Sequence, residues 1–151
     1  MTFLVERLAD LRLYLDHLHK LRPRISSDED LRRDLSLHND ALYALLSVCQ
    51  LVIDIAGELS ARKGLRFDDY TEAVRNLSAY DELPRDLVKE LERLPGFRNV
   101  LIHEYVALDL ERVVQALGRL DPIEQFINAV GEIEKSADPG GSGQSDRPIE
   151  T

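Results

Sequence analysis

The stretch ALYALLSVCQLVIDIAGELSAR, residues 41–62, decides the fold. It contains the longest uncharged apolar run of the chain, which reaches from Ala41 to Ile53 with two polar interruptions and stops at Asp54. A run this short and interrupted does not predict a membrane span. Its apolar residues recur at helical spacing until Gly64, a residue typical of helix C-termini, and so predict a buried helix. The positions on the shared face are Leu42, Leu45, Cys49, Val52, Ala56 and Leu59.

This helix is predicted to begin well before residue 41. Ser26 is followed three residues later by Glu29, which is the spacing of a capping box, so we expect a long second helix from about residue 28 to residue 62. A first helix is predicted to end before Pro23, because leucines upstream of it alternate in steps of four and three. These leucines are Leu4, Leu8, Leu11, Leu15 and Leu18.

Shorter helical segments follow the long helix. Asp68 or Asp69 can cap a third helix, and Pro84 suits the first position of a fourth. The Pro95-Gly96 pair predicts a break, after which a further helical segment begins. Residues 109–135 fit either one kinked helix or two separate helices. Because no segment alternates with period two, the sequence predicts an all-α bundle.

Composition narrows the class of protein further. The 151 residues suffice for one domain, which we expect over residues 1–135, before a disordered tail over residues 136–151. The net charge of −9 argues against binding along a nucleic acid through many phosphates, although residues 62–66 include a local basic group. The N-terminus lacks a signal-peptide pattern, so we expect a cytoplasmic protein. Cys49 is the single cysteine, which excludes an internal disulfide and a cysteine-based metal site.

The segment GFRNVLIHEY, residues 96–105, places four polar side chains among core-type residues. On a straight helix Asn99 and His103 lie on one side within a turn, and Arg98 and Tyr105 are nearly aligned two turns apart. Histidine suits proton transfer near neutral pH, and arginine suits a phosphate that gains charge in a transition state. The set therefore suits RNA cleavage by attack of a 2′-hydroxyl on its neighbouring phosphate, which requires an acid, a base and charge stabilisation but no metal.

Each of these residues also has a structural interpretation. A histidine and an arginine on a helix are more often solvated or satisfied residues than a catalytic pair. Asp54 either orients Arg98 or His103 as a buried carboxylate, or lies at the polar edge of the second helix. Tyr70 and Tyr80 are expected to be packing residues rather than platforms on which bases stack.

The segment FRNVLIHEY resembles the signature of the HEPN superfamily, and the tyrosine two residues after the histidine resembles the HepT branch, the toxin half of a toxin–antitoxin pair. The similarity covers roughly residues 5–135 and includes IDIAGELSARKGL, DDYTEAVRNLSAYDELP and LVKELERLPGFRN. It implies a four- or five-helix bundle that dimerises and cleaves RNA without a metal or another cofactor. Arg98 and His103 are the implied active-site residues, with Asn99 as a polar neighbour. The implied antitoxin is a minimal nucleotidyltransferase that can attach AMP to Tyr105.

The sequence leaves two functions open. The first is a ribonuclease toxin, whose homodimer would supply a second His103 and therefore both a proton acceptor and a proton donor. The second is a non-catalytic HEPN adaptor that binds a nucleotidyltransferase or a nucleotide, because the motif alone does not separate these classes. The sequence does not specify the RNA target or the cleavage preference.

Overall fold

The computed structural model of the chain describes residues 2–104 and 107–137. Within these ranges the protein has eight α-helices, two short 3-10 helices and no β-strand, which confirms the predicted all-α fold. Five of these α-helices have eight or more residues, in agreement with the implied four- or five-helix bundle. The α-helices are α1 (Thr2–Leu21), α2 (Asp28–Arg33), α3 (Leu35–Arg62), α4 (Tyr70–Arg75), α5 (Arg85–Leu91), α6 (Leu94–His103), α7 (Leu110–Leu117) and α8 (Asp121–Ala137).

The central element is α3, which packs against α1, α4 and α6. All six predicted face residues of this helix are buried, as are further residues from Leu37 to Ser60. By length and composition α3 would suffice to cross a membrane, but most of its apolar window is buried inside the protein. This burial is the pattern of a core helix, and it lets α3 position whatever α6 carries.

The predicted long second helix is wrong in one respect, because it is divided at Asp34. This residue has an extended backbone (φ −130°, ψ 98°), so α2 ends there, and its carboxylate then accepts the backbone N–H of Leu37 to cap α3. The start of α2 also differs from the prediction: Ser27 is its N-cap, and Asp30 rather than Glu29 closes the capping box. The backbone N–H of Ser26 at 2.8 Å, the Ser26 hydroxyl at 3.0 Å and Nη2 of Arg33 at 2.7 Å donate to the Asp30 carboxylate and lower its pKa to about 2. The backbone N–H of Ser27 adds a weaker bond at 3.3 Å.

The helices before the motif begin close to their predicted positions. Asp69 caps α4 by accepting the backbone N–H of Glu72 at 2.8 Å, and Pro84 stands one residue earlier than predicted, as the residue before α5. The predicted break at Pro95-Gly96 is wrong, because α6 begins at Leu94 and includes both residues. Proline is tolerated in the first turn of a helix, where its missing N–H is not needed, so it starts α6 instead of interrupting it.

The C-terminal region forms two helices, α7 and α8, which decides between the two predicted alternatives. They are separated by residues 118–120, and each buries an apolar stripe that includes Val113 and Phe126 respectively. Helix α8 continues to Ala137, two residues past the predicted end of the domain at residue 135. The rest of the predicted tail, residues 138–151, lies outside the described residues, so the tail and the domain limits stay predictions.

Candidate active site

The polar motif predicted from the sequence lies on α6, which packs against α3. Pro95 and Leu101 are the buried residues of this helix, and Phe97 is half-buried and packs against the hydrophobic core. Because these residues fix the helix, the polar residues lie at its edge and on its outer face. Asn99 and His103 are both exposed there, four residues apart, as the helical spacing predicted.

Arg98 lies at the edge between α6 and α3 and is half-buried. Its Nε donates a hydrogen bond to Oε1 of Gln50 on α3 at 2.9 Å, and its Nη1 donates to Oδ1 of Asn99 at 3.1 Å. Gln50 Nε2 in turn donates to Oδ1 of Asp54, one turn further along α3, at 2.8 Å. Asp54 is therefore connected to Arg98 through an intervening amide, a geometry that fits the orienting role predicted as one of its two alternatives.

Tyr70 is the third neighbour of the Arg98 guanidinium. The Cζ atom of Arg98 lies 5.5 Å from the centroid of the Tyr70 ring, within the range of a cation–π interaction. Tyr70, which is predicted to be a packing residue, is the first residue of α4 and is 43% exposed, so it is only partly packed. The same prediction is confirmed for Tyr80, which is buried and donates its hydroxyl to the carbonyl oxygen of Leu59 at 2.7 Å.

His103 is the last residue of α6, and its ring is exposed to solvent. Within residues 2–104 and 107–137 no group hydrogen-bonds to the imidazole. A substrate on the outer face of α6 can therefore reach it. Tyr105, the predicted site of AMP attachment, lies outside the described residues, so its alignment with Arg98 stays a prediction.

The charge of Arg98 is not balanced by an ion pair within the part of the chain that the structure describes. Its bonded partners are the neutral amides of Gln50 and Asn99. The nearby thiol of Cys49 is buried, and burial raises its pKa to about 12 against the smaller opposing effect of the Arg98 charge. The thiol is therefore neutral near pH 7, and Cys49 acts as a buried packing residue and not as a nucleophile.

The described residues contain no group of three or more histidine, cysteine, aspartate or glutamate side chains that could hold a metal ion. The structure instead joins the guanidinium of Arg98 to the carboxamide of Asn99, and the exposed imidazole of His103 lies one turn after Asn99 on the same helix. A guanidinium with unused N–H donors can bind a phosphate, and an imidazole can transfer a proton near neutral pH.

Sequence reasoning missed two of the residues that contact Arg98, namely Gln50 and Tyr70. A signal for Gln50 was present, because it is a polar residue inside the apolar run and stands four residues before Asp54, the spacing at which side chains of one helix meet. Tyr70 had no such signal, because its contact with Arg98 depends on how α4 packs against α6.

A family model described as Ribonuclease HepT-like matches residues 11–130. The chain belongs to the HepT-like ribonuclease family. The matched range contains α3, α6 and every candidate site residue, so the resemblance seen in the motif extends over most of this HepT-like chain.

Curated relatives and solved structures agree with this membership. The chain is 28% identical to the mRNA nuclease HepT of Shewanella oneidensis over 66% of its own length and 76% of the relative's. It is 32% identical to the tRNA nuclease HepT of Aphanizomenon flos-aquae over 74% of its length and 75% of the relative's.

Two solved structures share the fold. One is a tri-AMPylated Shewanella oneidensis HEPN toxin in complex with an MNT antitoxin (TM-score 0.73, 21% identity, 85% of this chain and 96% of that chain). The other is a toxin–antitoxin with AMP-PNP (TM-score 0.71, 20% identity, 84% and 96%).

Proposed function

We propose that this HepT-like protein is an endoribonuclease toxin that cleaves RNA in the cytoplasm without a metal ion. The observation that carries the proposal is the arrangement on α6, where Arg98 is held by uncharged groups and His103 is exposed on the same helix. The names of two relatives, an mRNA nuclease and a tRNA nuclease, support RNA as the substrate class.

In the proposed reaction, the imidazole of His103 takes the proton from a 2′-hydroxyl, whose oxygen attacks the adjacent phosphorus. The bond from phosphorus to the 5′-oxygen breaks, and that oxygen receives a proton from a second, protonated imidazole. The guanidinium of Arg98 binds the phosphate oxygens and stabilises the charge that they gain in the transition state. Asn99 and Asp54 support this geometry, the first by a direct bond to Arg98 and the second through Gln50.

The second imidazole would come from another copy of the chain. One motif contains a single histidine, and a two-fold axis that brings two copies of α6 to one groove supplies a second His103. The active unit is therefore a homodimer in this proposal. Sedimentation of the purified protein at its working concentration should show a dimer, and full activity in a monomer would contradict this part.

Silencing by a nucleotidyltransferase antitoxin is the regulatory part of the proposal. It is supported by the fold shared with a tri-AMPylated HEPN toxin bound to an MNT antitoxin. AMP on Tyr105 would place an anion near Arg98, where it would compete with the RNA phosphate. Coexpression with the antitoxin followed by intact-mass measurement should show an AMP adduct on the wild type and none on Tyr105→Phe. Equal inhibition of both without an adduct would show that silencing works by binding alone.

The deciding experiment is RNA cleavage by the purified protein in excess chelator. The wild type should cleave, and His103→Ala should lose about 10²- to 10⁴-fold in rate, because a positioned acid or base is removed. His19→Ala is a matched control, since His19 is also an exposed histidine and lies on α1. If the wild type has no activity in chelator, the proposal fails and the protein is better explained as a non-catalytic adaptor of the antitoxin. If His103→Ala cleaves at the parent rate, the assigned site is wrong.

A further inference from the structure

An open hollow with a volume of about 310 Å³ lies beside Arg98. Three aromatic side chains from different segments converge on it: Phe3 of α1, Phe67 of the loop before α4, and Tyr70 of α4. They are 38%, 37% and 43% exposed, so more than a third of each aromatic residue is open to solvent. The remaining lining residues are Ile53, Asp54 and Gly57 of α3.

Two arginines lie over rings of this hollow. The Cζ atom of Arg7 lies 4.5 Å from the centroid of the Phe3 ring, and that of Arg98 lies 5.5 Å from the centroid of the Tyr70 ring. Neither arginine forms an ion pair with a carboxylate in the described ranges. An aromatic surface that is bordered by two unneutralised guanidinium groups is therefore present on a protein whose net charge is −9.

We propose that this hollow is a nucleobase subsite, which holds a base of the RNA next to the phosphate that Arg98 binds. The inference rests on the proposed ribonuclease function and adds a specificity-determining site to it. Single-stranded RNA is bound by stacking of its bases on aromatic side chains while cations contact its phosphates, and the hollow offers both elements together. Tyr70 belongs to both parts, because it lines the hollow and contacts Arg98.

Asp54 gives the subsite a preference among bases. Its Oδ1 accepts the hydrogen bond from Gln50, and a carboxylate has further lone pairs that accept N–H donors from a base edge. Adenine, cytosine and guanine each carry an exocyclic amino group that can donate to it. Uracil has no amino group, and its ring N–H lies between two carbonyl oxygens. The carboxylate repels these oxygens. The subsite therefore favours amino-bearing bases over uracil.

The polar groups of the hollow favour RNA over a second protein chain as its occupant. Aspartate is depleted at protein interfaces, whereas this hollow has the carboxylate of Asp54 in its lining, together with aromatic rings and two guanidinium groups over them. A nucleotide uses all three kinds of group, because its base stacks, its amino group donates and its phosphates are anionic.

Gly57 allows the subsite to be narrowed without damage to the fold. A Cβ atom at this position would meet only Cζ of Phe67, at an ordinary contact distance of 3.5 Å. Alanine is also a better helix former than glycine, so Gly57→Ala should raise the melting temperature. The same methyl group would reduce the space for a base between α3 and Phe67. A variant that is more stable and binds RNA less tightly would separate a binding role from a structural one.

The test measures binding of labelled single-stranded RNA oligonucleotides to full-length protein that carries His103→Ala, so that the RNA stays intact. Phe67→Ala should weaken binding about 5- to 150-fold, as expected for the loss of one stacked base. Gly57→Ala should weaken binding by less. Asp54→Asn keeps an acceptor for Gln50 but removes the negative charge, so it should weaken binding of adenine-, cytosine- and guanine-containing oligonucleotides and bring their affinity closer to that of oligouridine. Tyr43→Ala, an exposed tyrosine elsewhere on α3, should change nothing.

Unchanged affinity in Phe67→Ala and Gly57→Ala, with metal-free cleavage by the wild type intact, would overturn the subsite and leave the proposed ribonuclease standing. Dissociation of the homodimer in these variants, with unchanged RNA affinity per folded chain, would also overturn it and would assign the hollow to a second copy. Absence of cleavage by the wild type in chelator would remove the proposed function and the subsite with it.

Discussion

Arg98 at the edge of α6 and Arg62 at the end of α3 are held in opposite ways. Arg62 donates from Nη1 to Oε1 of Glu134 at 2.5 Å and from Nε to Oε2 of Glu58 at 3.3 Å, so carboxylates neutralise its charge. Arg98 is bound by the neutral amides of Gln50 and Asn99 and by an aromatic face. The first arrangement joins α3 to α8, and the second fixes a guanidinium in place while it keeps its positive charge.

A second carboxylate pairing repeats the pattern of Arg62. Arg12 of α1 forms a two-point ion pair with Glu124 of α8, in which the bond from Nη1 to Oε1 is 2.9 Å. This contact raises the pKa of Arg12 and lowers the pKa of Glu124. Arg12 and Arg62, which have carboxylate partners, therefore hold α8 against the rest of the bundle. Arg98, which has neutral partners, is suited to binding an external anion.

The largest effect is expected at Arg98. Arg98→Ala should reduce the rate of RNA cleavage by about 10²- to 10³-fold, because a donor that stabilises transition-state charge is lost, and should leave the helical content unchanged. Single-turnover rates and circular dichroism are the measurements. Arg75→Ala is the control, since Arg75 is exposed and pairs with Glu92. Cleavage by Arg98→Ala at the parent rate would show that Arg98 does not stabilise the transition state.

Gln50→Glu converts the neutral arrangement into the carboxylate arrangement. The new carboxylate would neutralise Arg98, so cleavage should fall, but by less than the about 10²- to 10³-fold expected when the stabilising donor itself is removed. Gln50→Leu removes the hydrogen bond and leaves the charge, and it should therefore retain more activity than Gln50→Glu. The same single-turnover assay distinguishes the two variants. Faster cleavage by Gln50→Glu than by Gln50→Leu would contradict this. It would show that Gln50 mainly orients Arg98 and does not preserve its available charge.

Arg62→Ala should affect stability and not cleavage. It leaves the carboxylate of Glu134 without its cation, and the Oε2 atom of that carboxylate is buried with no hydrogen-bond partner in the described part of the chain. We expect a loss of about 2 kcal/mol in the free energy of unfolding, less than for a fully buried pair because the pair is partly exposed. Denaturant titration measures this loss. Adding Glu134→Gln should restore part of the lost free energy of unfolding. If it restores none, the loss does not come from the broken ion pair.

Glu124→Gln should have the smallest effect on stability, less than about 1 kcal/mol, since the Arg12 pair is more than a third exposed. Its effect depends on pH. Because pairing lowers the pKa of Glu124 below its ordinary value of 4.5, the contribution is fully present above that value and is lost as the pH falls through the lower folded pKa. Unfolding titrations of wild type and variant should therefore converge in acid. A difference that persists at low pH would contradict the ionic origin of the effect.

The residues explain why much of the fold follows from the sequence and part of the site does not. Helical periodicity identified the buried face of α3, because burial on one side of a helix leaves a record at every turn. It missed the division at Asp34, where one side chain caps α3 while the apolar spacing continues on both sides. The polar motif of residues 96–105, through its side-chain chemistry and its resemblance to the HEPN signature, identified Arg98, Asn99 and His103 as candidates. It could not identify Tyr70, because the contact of Tyr70 with Arg98 requires two helices that are distant in sequence to pack together.

The most direct test of the claim that Arg98 keeps its charge for a phosphate is the salt dependence of RNA binding. Affinity for a single-stranded oligonucleotide is measured over a range of salt concentrations in the His103→Ala background, with and without Arg98→Ala or Arg62→Ala. Each phosphate contact contributes about 0.7 to the slope of log affinity against log salt concentration. The account predicts that Arg98→Ala lowers the magnitude of the slope by about 0.7, whereas Arg62→Ala leaves it unchanged. Equal slopes for the Arg98→Ala variant and its parent would contradict it.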